Sequence, residues 1–172
     1  MDILDLIKER RSCKSYTDRM VSDTDINKVI TAGLYAPSGM NLQDGMIIAI
    51  TNKEVRDNLA KLNASVMGRD SDPFYGAPVV LLVLVKKHRN SKYDGSCMIE
   101  NMLLEAYSLG LGSCWIHRAK EELEDPKAKE ILKNLDINLD DYEGVGHVIL
   151  GYSNNYLPKP KPIKENRVLF LK

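Results

Sequence analysis

The chain has 172 residues, 44% of them hydrophobic, the size of one domain with a substantial core. Its 24 basic and 24 acidic residues cancel, which excludes a global field that would draw in nucleic acid or an anionic membrane. Apolar runs stay short of the roughly 18 residues of a membrane span, and "MDILDLIKERR" places its basic residues after the apolar ones, the reverse of a secretory signal, so a cytoplasmic protein is expected.

In chain order, Asp2 reads as an N-cap and Asp5 as a first-turn acid of a helix whose apolar face is Ile3, Leu4, Leu6 and Ile7. A second helix starts at "SDTD", with Ser22 and Asp25 at capping-box spacing, carries the stripe Ile26, Val29, Ile30 and Leu34, and stops before Pro37. "APSGMNLQDG" reads as a loop and "MIIAI" as a short buried strand. "EVRDNLAKL" reads as a helix with Val55, Leu59 and Leu62 on one side. "APVVLLVLV" is the strongest strand, apolar enough to be covered on both faces. A polar loop, "KKHRNSK", leads to a helix from about Gly95 to Leu109 that is apolar nearly all round, a pattern expected at a subunit interface in so short a chain. "GLGSCWI" closes that helix at Gly110 and opens a strand, "DPKAKEILKNL" is a polar helix, and "VGHVILGY" is a further strand. The tail "LPKPKPIKENRVLFLK" is basic and kept extended by its prolines, then apolar at "VLFL", as suits an arm reaching a partner. Neither a repeat nor a linker divides the chain.

"RRSCKSY" poses the first chemical question. Basic residues near a helix C-terminus complement the macrodipole, which is a sufficient account of Arg10 and Arg11. The other account is a phosphate site, with fork donors from Arg10 and Arg11, the Ser12 hydroxyl and the Lys14 charge. Ser38, Asn41 and Gln43 make either an ordinary turn or an array of groups that donate and accept toward a heterocycle. "GLGSC" follows a helix and lacks the GxGxxG order, so a dinucleotide-binding Rossmann unit is excluded; Gly112 is a candidate for close approach to a ligand. Cys13, Cys97 and Cys114 suit free thiols in a reducing compartment. Cys114 and His117 form a lone CxxH, which is no metal site, and as strand residues three apart they should face opposite ways. His88 and His147 read as ordinary surface and strand residues, and Lys159, Lys161 and Lys164 as a solvated tail or a second set of phosphate ligands.

Together and in order, "RRSCKSY", "APSGMNLQ", "FYGAPVVLLV", "ENMLLEAYSLGLGSCWI", "GHVILGY" and "KPKPIKENRV" resemble the nitroreductase family of flavin enzymes along essentially the whole chain. The resemblance implies an α+β fold, a central, mainly antiparallel sheet flanked by helices, in an intertwined homodimer. It implies one domain over residues 1–172, with 157–172 as an arm crossing to the partner subunit. It further implies FMN in a site built from both subunits, with NADPH or NADH as reductant and a nitro compound, quinone or similar small molecule as acceptor in a ping-pong cycle. Arg10 would bind the phosphate, Ser12 the ribityl-phosphate region, and Arg11 and Lys14 the flavin ring. Pro37, Ser38, Asn41 and Gln43 would come from the other subunit. Ser113, Cys114, Trp115 and Ile116 would line the ring through backbone groups, and Lys161 and Lys164 would close over the phosphate. No side chain is expected to act as a catalytic acid or base, because the cofactor carries the chemistry at its N5, with Lys14 tuning it; no metal is expected. The chain departs from the family at Gln43-Asp44-Gly45, where members often have Gln-Pro-Trp, and at Lys161-Pro162-Ile163, where Lys-x-Arg is common. It also lacks the helical insertion of longer members, which implies an open pocket. A non-catalytic FMN-binding or sensing protein is the alternative, and a ligand-free structural dimer a third.

Overall fold

The computed structural model describes residues 2–154, 159 and 162–172. Its centre is a four-stranded antiparallel sheet in the order β1-β2-β4-β3, with β1 at Gly45–Ile50, β2 at Val79–Lys86, β3 at Gly112–Ile116 and β4 at Tyr142–Gly151. β2 is the interior strand that its composition requires. Its even-numbered Val80, Leu82 and Leu84 enter one core with Ile149 and Phe74, and its odd-numbered Val79, Leu81, Val83 and Val85 enter a second core with Val148 and Leu150. Both faces are therefore buried, as a continuous apolar run demands. The pairing of β2 with β4 shifts between Val83 and Leu84, which face Gly146 and Gly144 and leave Val145 as the extra residue.

Helices α2 (Asp23–Leu34) and α4 (Ser91–Ser108) cover the second face, and α3 (Lys53–Val66), α5 (Ala119–Glu124) and α6 (Pro126–Ile131) lie on the first. Ser22 caps α2: its Oγ accepts from Asp25 N at 3.1 Å and donates to Asp25 Oδ2 at 2.9 Å. Asn52 caps α3 through Val55 N, and Asp125 caps α6, whose first residue is Pro126. α4 ends as read: Gly110 adopts φ +73°, and Leu111 N returns to the Ala106 carbonyl at 2.9 Å.

Several boundaries differ from expectation. α4 begins at Ser91, inside the stretch read as a polar loop, because Ser91 is buried and its Oγ bonds the Lys86 and His88 carbonyls. α5 went unread, since "AKEELE" is one short charged helix with only Ala119 and Glu122 buried. β4 starts three residues before the apolar run, at Tyr142. Asp2 makes no side-chain cap, and α1 (Ile3–Glu9) buries none of its residues; Ile3, Leu4 and Ile7 are exposed. In the C-terminal arm, Ile163 and Val168–Leu171 are exposed and form no strand with this chain. Among the described residues, no helix is long and apolar enough to cross a membrane.

Candidate functional site

The segment after α1 runs along the free edge of β3. Ser12 and Ser113 form a parallel bridge, and Cys13 N donates to the Ser113 carbonyl at 2.9 Å. This lays Arg10, Ser12 and Lys14 beside the strand expected to line a flavin. Gly112 makes the approach feasible: a Cβ there would sit 2.8 Å from Cys13 Sγ and 3.2 Å from the Tyr16 ring. The chain's own Cys13 and Tyr16 fill the space that a side chain at this position would need. Tyr16 is held by its hydroxyl, which donates to the Cys13 carbonyl at 2.9 Å.

Arg10 Nη1 is buried and has no hydrogen-bond partner among the described residues. Arg11 Nη1 turns back onto the Arg10 carbonyl, while Lys14 is exposed with its Nζ 5.7 Å from the centre of the Tyr75 ring. Burial pushes the Cys114 thiol above its ordinary value, and the Ser12 hydroxyl, Lys14 and Arg10 oppose that shift. Cys114 is thus close to Arg10 and Ser12, expected at the cofactor's phosphate end, and to Lys14, expected at its ring. Cys114 faces the first core and Trp115 the second, while exposed His117 stacks on Trp115, so the CxxH pair does not converge.

The second group, residues 37–43, lies at the opposite corner of the sheet. It enters β1 at Gly45, which pairs with Val85 at one end of the sheet, whereas Ser113 lies next to Gly112 at the other end and on the far edge. Three strand spacings alone separate the edges by about 14 Å. Within the loop, Ser38 Oγ accepts from Gln43 N at 3.0 Å, and Gln43 Nε2 donates to Asn41 Oδ1 at 3.0 Å. Met40, Asn41 and Gln43 all take left-handed backbone conformations, with φ of 54°, 56° and 52°. Such strain concentrates where a surrounding structure enforces it. Part of the enforcement is Asp94, on α4, whose Oδ1 accepts from Gly39 N at 3.0 Å. Pro37, Asn41 and Gln43 are exposed and Ser38 is half-buried. Lys164 is exposed, and Lys161 lies outside the described residues.

Sequence reasoning missed three features. Tyr75 reaches Lys14 from a turn ahead of β2, where it adopts φ +53°. Asp94, just outside the helix as read, lies in the first turn of α4 and holds Gly39 of the 37–43 segment. His147, read as an ordinary strand residue, is fully buried with its Nε2 3.1 Å from Glu122 Oε2, at ion-pair distance but off the line of a hydrogen bond.

Residues 7–152 match the model of the family described as the nitroreductase family. A relative from Archaeoglobus fulgidus named "Putative NADH dehydrogenase/NAD(P)H nitroreductase" is 33% identical over 138 residues, 76% of each chain. Among solved structures, a nitroreductase with bound FMN from Bacteroides fragilis is 29% identical with a TM-score of 0.88, and one with bound FMN from Desulfitobacterium hafniense is 25% identical with a TM-score of 0.87. Both superpose over 100% of each chain.

Proposed function

The chain belongs to the nitroreductase family, and from that premise we propose that it is a homodimeric FMN-dependent oxidoreductase. It takes hydride from NADPH or NADH and passes it to a nitro compound, quinone or similar small acceptor, donor and acceptor using one site in turn. The observation that carries this reading is the Arg10 guanidinium, whose buried Nη1 lacks a partner beside Ser12 and Lys14. A buried donor left unpaired costs roughly 1–3 kcal/mol, and a phosphate oxygen would satisfy it.

The residues present fit the cofactor. Arg10 and Ser12 would hold its phosphate end, Lys164 and Lys161 of the arm would close over it, and Arg11 and Lys14 would serve the ring. The backbone of Ser113, Cys114, Trp115 and Ile116 would line the ring. Bound FMN supplies the hydride chemistry at its N5. Lys14 would place a positive charge where negative charge accumulates on the reduced ring, an interaction that favours the reduced form. Pro37, Ser38, Asn41 and Gln43 sit at the wrong corner to join Arg10 of their own chain, which supports a site completed by a second subunit. The exposed α1 face and the exposed Val168–Leu171 segment are apolar surface for that subunit to cover.

The test is an absorption spectrum of the purified protein, followed by anaerobic rapid mixing with NADPH and with NADH. The enzyme reading expects a yellow protein whose flavin bleaches within seconds. A yellow protein that stays oxidised would favour a carrier or sensor, and a colourless protein that takes up no added FMN would remove the reading altogether.

A further inference from the structure

A buried polar network is left unused by the flavin reading. Asn63 on α3 is fully buried, and its Nδ2 donates to the His117 carbonyl at 2.8 Å and to Glu122 Oε1. Glu122, 2% exposed, also faces buried His147. Asn63 Oδ1 accepts from Arg118 Nε at 3.1 Å. Burying a carboxylate with an amide and an imidazole is a poor route to stability compared with an apolar core. Such groups are better explained by what they hold in place.

They hold the bend at residues 117–118. His117 is fixed through its carbonyl, and Arg118 is fixed through Nε in a left-handed conformation, φ +78°. Both Nη groups of Arg118 are free of hydrogen bonds among the described residues. A cavity of about 310 Å³ opens there, lined by Lys92, Ser96, Trp115, His117, Arg118 and Lys120. One carboxylate on its wall, Glu121, faces these three cations. Lys92 and Lys120 are tied only loosely to Glu143 and Glu124, at 3.8 and 3.9 Å. The Trp115 and His117 rings lie 5.4 Å apart at a 30° tilt, and the indole N–H is buried without a partner.

An aromatic pair beside an oriented guanidinium and two lysines suits a flat base carrying phosphate. The volume is at the small end of ligand cavities, room for one end of a dinucleotide and not for the whole. We propose that this cavity binds the adenosine-phosphate end of the pyridine nucleotide, with adenine against Trp115 and His117 and phosphate on Arg118, Lys120 and Lys92. The inference rests on the flavin-enzyme reading. In that reading the Trp115 backbone borders the flavin ring, so its side chain connects the two places that one dinucleotide must span.

Trp115 is the only tryptophan of the chain, so its emission reports occupancy directly. Titration of the flavin-loaded protein with 5′-ADP and with 2′-phosphoadenosine 5′-phosphate should give saturable quenching, with adenosine alone or inorganic phosphate binding far more weakly. Arg118→Ala should weaken the phosphorylated adenosines by about tenfold, the loss of one charge-assisted contact. It should also raise KM for NADPH or NADH more than KM for reduced nicotinamide mononucleotide, which lacks the adenosine end. Lys120→Ala, away from the buried network, should act in the same direction with a smaller effect and serves if Arg118→Ala does not fold. Absence of quenching, or equal loss with whole and truncated donors, overturns the proposal. Failure of every nicotinamide donor to reduce the flavin overturns the enzyme reading instead, while the quenching titration still decides whether the cavity takes an adenosine phosphate.

Discussion

Lys14 carries its ammonium over the ring of Tyr75, 5.7 Å from the centroid. The ring stays there because its turn is pinned from outside the site. Arg56 donates through Nε to the Ala77 carbonyl at 3.1 Å and through Nη2 to Asp72 Oδ2 at 2.5 Å, and Phe74 is fully buried beneath. A cation on an aromatic face gains about 0.5–1 kcal/mol at an exposed site, enough to bias a long flexible side chain toward one position.

Lys14→Met should therefore impair flavin reduction more than flavin binding. In the proposed site the charge would interact mainly with the reduced cofactor, so its removal should lower the midpoint potential, by about 30 mV for each 1.4 kcal/mol lost in this two-electron couple. Redox titration of both proteins against a reference dye is the measurement. A potential that stays put or rises would place this lysine elsewhere.

Alkali should destabilise the protein in two steps. The Cys114 thiol is raised from its ordinary 9.0, chiefly by burial, and the Tyr16 hydroxyl is raised far above its ordinary 10.0 by burial and then by neighbouring Cys13 and Cys114. A group whose folded value is raised binds more protons folded than unfolded above its ordinary value, so stability is complete below that value and falls as pH rises through it. Thermal melts should decline from about pH 9 and more steeply beyond 10. Cys114→Ala should remove the first component and Tyr16→Phe the second. Parallel declines in all three proteins would refute the assignment.

Ile163→Arg should tighten FMN binding. Ile163 is 81% exposed, so the substitution removes no core contact. A guanidinium at this register would add a charge-assisted, bidentate contact to the phosphate, for a gain of about tenfold once side-chain ordering is subtracted. Ile163→Lys supplies charge without the fork and should gain less. Fluorescence quenching of FMN titrated with apoprotein decides it, and no gain for either variant would mean that the arm does not reach the phosphate in this register.

Deleting residues 158–172 should give colourless, dissociated or aggregated protein. The deletion removes Lys159, Lys161 and Lys164 along with the exposed Val168–Leu171 segment. If that segment pairs with a partner's sheet, its loss uncovers a strand edge, which is an association hazard. Light scattering on a size-exclusion column, read with flavin absorbance, distinguishes the outcomes; a well-behaved yellow dimer would show that the arm neither crosses nor binds.

Much of the fold was legible because its elements announce themselves locally. β2 is a valine-rich run, Ser22 caps the helix N–H three residues on, and Gly110 ends α4 by adopting a conformation that glycine favours. The family was legible from the order of short motifs, although none of them specifies the strand order. What stayed hidden is set by distance along the chain. Asn63, Glu122 and His147 touch only after α3, α5 and β4 assemble. Tyr75 meets Lys14 only when the turn before β2 comes up to the segment beside β3, and α5 is too short and too charged to show a periodicity. The packing at Gly112 was hidden for the same reason: nothing near it in sequence says that Cys13 will occupy the space.

The diagonal placement of residues 10–14 and 37–43 has a genetic consequence. If each site takes one corner from each subunit, damage to the two corners is complementary. A chain carrying Arg10→Ala mixed with a chain carrying Asn41→Ala yields heterodimers in which one site collects both lesions and the other collects neither. Two variants that are each inactive alone then restore one another on subunit exchange, and two lesions in the same corner never do.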